Sequence, residues 1–239
     1  MFNQLHAWLD RRQPLPARFE TNSPPPDILG QNWLTFLTIE EEIVFHKIAG
    51  VNWRSLSEAA EETRQYLTRV RHTLGGMLDI EDEDDKAQIL LYNGRPPLNS
   101  LPIYLISLRA PGQHERIVYV GKTTAASRFG GGHSAAIKLL DPKYNDYEKI
   151  VYRCSVTVST DEWILLEWIN PLSTAEKILD DLESQLIYNF QPAFNIQKKK
   201  ISYAKFPTTI HIQHAIGPKR FLHDEIIDGN TPPESPLFK

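Results

Sequence analysis

Two short apolar runs, each carrying a tyrosine, restrict the fold of this chain more than any other feature. Pro102-Ile103-Tyr104 precedes and Tyr119-Val120-Gly121-Lys122 follows a turn-rich segment, Arg109 to Glu115, that contains Pro111-Gly112. Apolar runs bounded by turn residues predict a β-hairpin. Side chains alternate along a strand, so Tyr104, Ile106 and Leu108 share one face, and Ile117, Tyr119 and Gly121 share one face of the partner. Pairing those faces would bring the two phenols together. Gly121 would admit a close backbone approach, and Lys122 would add a positive charge at the strand end.

The 239 residues suffice for one large domain or two small ones. A hydrophobic content of 41% and a charged content of 23% are those of a globular chain. The formal charge of −4 argues against whole-molecule attraction to nucleic acid. Residues 1–100 hold 10 basic and 15 acidic side chains, whereas residues 101–200 hold 12 and 11. Any nucleic-acid contact therefore has to come from a local patch. A lone cysteine, Cys154, allows no internal disulfide and no cysteine-based zinc site, and its place among Tyr152, Val156 and Val158 predicts a core thiol. Met1 to Arg12 lacks a signal-peptide pattern, and no apolar run approaches membrane-spanning length, so a cytoplasmic protein without membrane contact is expected.

Along the chain, Asn3 to Arg12 predicts a short amphipathic helix and Pro14 to Pro26 an extended arm. The apolar stretch from Trp33 to Ile48, with its acidic break Glu40-Glu41-Glu42, is expected to be helical. Leu56 to Leu74 keeps a helical spacing through Leu56, Ala60, Thr63, Leu67, Val70 and Leu74, with Ser57 as the expected cap and Gly75-Gly76 as the stop. Its Arg64, Arg69 and Arg71 are expected on a solvated face. Asp79 to Asp85 lacks the glycine and ligand spacing of a calcium loop and is expected to be a solvated connector. Ala87 to Tyr92 predicts a short strand, and Asn93 to Pro97 a turn at a boundary.

Beyond the hairpin, Thr123 to Phe129 predicts a short helix broken by Gly130-Gly131-Gly132, with a restart over Ser134 to Leu140. Val151 to Val158 alternates as a third strand. Thr160-Asp161-Glu162 is expected to cap a helix to Ile169, and Ser173 to Glu176 to form a capping box for the next. That helix has a core stripe of Ala175, Leu179, Leu182, Leu186 and Phe190, with Glu183 beside it. A strand over Thr208 to Gln213 and a Pro-rich tail end the chain.

The two tyrosine motifs, followed in order by Arg128, His133, Glu183 and the Pro192-Ala193-Phe194-Asn195 ending, resemble the signature of the GIY-YIG nuclease family. The first motif has Pro for Gly and the second Val for Ile. The resemblance covers about Leu101 to Gln197. It implies an α+β protein in which a small three-stranded sheet flanked by helices spans 98–200. A mostly helical region, 1–97, would precede it and an extension, 201–239, would follow. It further implies a metal-dependent endonuclease cutting DNA, of the restriction or phage-defence kind, using magnesium or manganese. Glu183 would be the metal ligand, Arg128 a fork on the scissile phosphate, and Asn195 a supporting hydrogen-bonding residue.

The general base is either Tyr104 or Tyr119, with Lys122 expected to lower the pKa of one phenol; Tyr119 is nearer in the chain. His133 follows Arg128 by five residues, across the glycines, and reads either as a proton-handling group or as a helix cap. Lys198, Lys199 and Lys200 read either as phosphate contacts or as a solvated connector. The N-terminal region would supply target contacts, a homodimer surface or a protein docking surface. The competing class is a catalytically degenerate module on the same fold that binds nucleic acid or a partner.

Overall fold

A computed structural model describes residues 4–16, 33–123, 134–159, 162–206, 208–216 and 221–229. Arg128, His133, the three glycines, most of the proline-rich arm and the C-terminal tail lie outside these residues.

Among the described residues the architecture is mixed α+β, built on one seven-stranded sheet. The hairpin forms as expected from β2 (Ile103–Arg109) and β3 (Arg116–Lys122), with β3 at an edge. Next to β2 lies the long β4 (Glu148–Ser159), then β1 (Leu34–Val44), β6 (Thr209–His214) and β7 (Glu225–Asp228), while the short β5 (Trp163–Leu165) pairs with β4. β1 runs antiparallel to β4 and parallel to β6. The sheet is thus wider than three strands and draws on residues before 98 and after 200.

β1 replaces the helix expected over Trp33 to Ile48; only Phe45–Gly50 coils, as a 3-10 turn. A central strand buried on both faces presents an unbroken apolar run, which periodicity alone does not separate from a helix. The acidic break fits because each carboxylate has a partner. A bulge between Ile39 and Glu41 turns the strand. Glu40 accepts from Ser155 Oγ at 3.0 Å, Glu41 from Arg153 at 2.8 Å and Glu42 from Arg109 at 2.9 Å.

Among the described residues the α-helices are α1 (Gln4–Leu9), α2 (Leu56–Thr73), α3 (Glu83–Asn93), the short α4 (Ser134–Lys138) and α5 (Leu172–Phe190). Ser55, not Ser57, caps α2, in a reciprocal box with Glu58. The second half of the acidic connector is the first turn of α3, where Asp82 caps and three carboxylates favour the helix N-terminus, so Ala87 to Tyr92 is helix rather than strand. β5 and a 3-10 turn, Leu166–Trp168, replace the helix expected to run to Ile169. α5 begins at Leu172 behind Pro171, with no side-chain cap, in place of the expected capping box.

Both sheet faces are covered. The first packs Ile103, Leu105, Val120, Cys154 and Val156 against the α5 stripe and α2. Burial there pushes the Cys154 thiol up, as befits an inert core group. The second face gathers Tyr104, Ile106, Leu108 and Val118 with Trp53, Leu139 and Phe194. A bulge between Ile106 and Ser107 changes the parity of β3, so Ile117 joins the first face instead of sharing Tyr119's. Beyond the bulge Glu115 gathers the loop end, accepting from Arg109 Nε at 2.9 Å, Ser107 Oγ at 2.5 Å and the Tyr152 hydroxyl at 2.6 Å.

Candidate active site around the β3 edge

Tyr104 pairs with Gly121 across the hairpin, and Ile106 with Tyr119. The phenol rings therefore stack, with centroids 5.9 Å apart and planes at 29°. Gly121 makes this possible. A Cβ there would lie 2.5 Å from Tyr104 Cζ and Oη and 2.7 Å from a Tyr119 ring carbon. Tyr104 is fully buried with the Trp53 ring edge-on at 5.5 Å, whereas Tyr119 is half-buried and reaches solvent.

The cation that the sheet sets beside Tyr104 is Arg153, its register partner on β4. Arg153 is buried, lies over the Trp53 ring at 4.6 Å, and donates to Glu41 and to the Asn52 carbonyl. Burial pulls its pKa down from the usual guanidinium value. Sequence reasoning missed both Arg153 and Trp53, because their closeness to the hairpin arises only from the β2–β4 register. Lys122, expected to act on a phenol, sits in an ion pair with Asp180 on α5. Strand alternation turns it toward the first face, away from Tyr119.

α5 lies beside β3 on that first face and carries Asp180 and Glu183 one turn apart. Glu183, with a side chain 13% exposed, accepts from Lys198 Nζ at 2.7 Å. Asp180 went unremarked in the sequence, although its position three residues before Glu183 on a helix was the available signal. Lys198 has a φ of 66°, and the turn that holds it is tied down by Gln191 Nε2 donating to the Lys199 carbonyl at 2.5 Å. The lysine run is thus divided in role: Lys198 is engaged by Glu183, Lys199 is half-buried and Lys200 is exposed.

Asn195 joins the two halves. Its amide accepts from Val120 N–H and donates to Val120 C=O, both at 2.9 Å, and Phe194 N–H bonds the Val118 carbonyl at 2.8 Å. The segment after α5 therefore runs along the open edge of β3 as a two-residue surrogate strand. The phenols lie on one side of that edge and Glu183 with Asp180 on the other. Among the described residues no group of three or more His, Cys, Asp or Glu side chains could hold a metal ion, and no helix is long and apolar enough to cross a membrane. Comparison with protein-family models, curated proteins and solved structures finds no match to this chain.

Proposed function

We propose that the chain is a divalent-metal-dependent endonuclease of GIY-YIG type, hydrolysing DNA phosphodiester bonds in a restriction or phage-defence role. The observation that carries this reading is the stacked pair Tyr104 and Tyr119 over Gly121, fifteen residues apart in sequence and joined across a glycine whose bare backbone lets them meet. Glu183 and Asn195 flanking the same edge strand support it.

The donor set fits magnesium or manganese. Mg2+ is held by one or two carboxylates, the remaining ligands being waters and substrate oxygens. Glu183 supplies the first carboxylate and Asp180 is the nearest candidate for a second, each now neutralised by a lysine. A bound dication would supply charge stabilisation at the scissile phosphate. Tyr119, the phenol open to solvent, takes the proton of the attacking water, and the buried Tyr104 fixes its ring. Arg128, which follows β3 in the chain, forks the phosphate, His133 handles a proton there, and Lys200 meets the flanking backbone.

A second reading, a degenerate binding module, is favoured by one observation: Asp180 and Glu183 are already in ion pairs. Supercoiled plasmid incubated with Mg2+, with Mn2+ and with EDTA separates the two. Metal-dependent nicking that disappears in Glu183→Gln supports the nuclease. Binding of DNA without nicking in either metal overturns it in favour of the module.

A further inference from the structure

The β1, β4 and β6 end of the sheet holds a cavity of about 350 Å³, within the ~300–1,000 Å³ range of small-ligand sites. Phe36 and Trp163 form an aromatic wall, with centroids 4.3 Å apart. Trp163 is 53% exposed, so much of its ring is open to a further stacking partner. Gln13, Thr38, Thr157 and Gln213 also line the cavity, and none of these side chains hydrogen-bonds another described residue. Gln4, 3% exposed and in the same lining, keeps its Oε1 without a hydrogen-bond partner. His214 donates its Nδ1 hydrogen to the Ile216 carbonyl at 2.7 Å. The lining contains no Lys, Arg, Asp or Glu.

We infer that this cavity binds a nucleobase. An apolar ligand would strand the amides and hydroxyls without partners. An anionic group would find no cation. A planar heteroaromatic ring with several donors and acceptors uses both parts of the lining: it stacks on Trp163 and exchanges hydrogen bonds with Gln213, Gln13 and the threonines, with its phosphate outside. Thr157 shares its sheet face with Arg153 and Tyr104, four residues along β4 from Arg153, which is roughly 13 Å at strand rise. The inference stands on the cavity and does not need the cleavage reading.

Calorimetric titration of the full chain in EDTA with each of the four deoxynucleoside monophosphates tests it. At least one should bind saturably at one site, and deoxyribose 5-phosphate should not. Trp163→Ala and the milder Gln213→Leu should weaken binding, the former roughly ten- to hundredfold, while Glu183→Gln should leave it unchanged. Absence of binding by all four, equal binding of the base-free sugar phosphate, or unchanged affinity in Trp163→Ala would overturn the base pocket. A trinucleotide that binds more tightly than the best mononucleotide identifies a base within a strand, and equal affinity identifies a free nucleotide; both support the pocket. Plasmid nicking is scored separately, so failure of cleavage and failure of base binding are distinct results.

Discussion

The carboxamide of Asn195 occupies the outward backbone positions of Val120 as a neighbouring strand would, one hydrogen bond accepted and one donated, each 2.9 Å long. Asn195→Ala strips both and returns the β3 edge to water; Asn195→Asp keeps the acceptor and loses the donor. We expect Asn195→Ala to destabilise by about 1–3 kcal/mol, Asn195→Asp by less, and Val120 amide exchange to quicken in the alanine variant. Unchanged exchange at Val120 would contradict the surrogate-strand role.

Gly121→Ala places a methyl against the Tyr104 hydroxyl and the Tyr119 ring. Both neighbours belong to strands and cannot swing away freely. Overpacking of this kind costs about 1–3 kcal/mol. Urea unfolding should show that loss, and Tyr104→Phe combined with Gly121→Ala should recover part of it by removing one of the contacted atoms.

Lys198 neutralises Glu183, so the ammonium competes with any dication for the same oxygens. Glu183→Gln should abolish cleavage and leave the fold intact. Lys198→Met should lower the Mg2+ concentration that gives half-maximal cleavage. A raised requirement would mean that Lys198 helps to hold substrate rather than to guard the carboxylate.

Of the two phenols only Tyr119 reaches solvent. Tyr119→Phe should remove most of the rate with ring packing kept. Tyr104→Phe should cost on the order of one hydrogen bond, ~0.5–1.5 kcal/mol. Cleavage rates across pH decide between them, and equal small losses would move the base to another group.

Glu167 is buried and accepts from Ser100 N–H at 2.8 Å and Ser100 Oγ at 2.7 Å. Burial raises its pKa, and the two Ser100 bonds only partly oppose this. A carboxyl with a raised folded pKa holds its proton more tightly when folded. Stability therefore falls as pH climbs from the ordinary glutamate value, ~4.3, to the raised folded value, and the loss persists above it. Glu167→Gln should flatten that slope in thermal melts recorded across acid and neutral pH.

The hairpin, the α5 stripe and the tyrosine pairing were legible because each rests on local periodicity and turn chemistry. Parity was not: the bulge at Ser107 reassigned Ile117, and nothing in the strand sequence marks it. β1 was hidden because a strand covered on both faces has no polar alternation, and its acidic break looked like helix surface until Ser155, Arg153 and Arg109 answered it from other strands. Glu183 and Asn195 were legible as residues, but their partners were not, since Lys198 reaches back over a turn and Val120 presents only backbone. Lys122 misled because nearness in sequence along a strand alternates between faces.

β1 lies between β4 and β6, although its residues come some sixty positions before the hairpin. A fragment trimmed to the stretch that resembles a nuclease would begin after β1 and end before β6. It would expose the whole inner edge of β4, with Cys154, Val156 and Val158 losing their β1 neighbours Ile39, Leu37 and Thr35. Excision at that seam yields an adhesive half-sheet rather than a miniature enzyme, and because Leu5, Trp8 and Leu9 of α1 are buried in the same core, the smallest transplantable unit runs from α1 through β7.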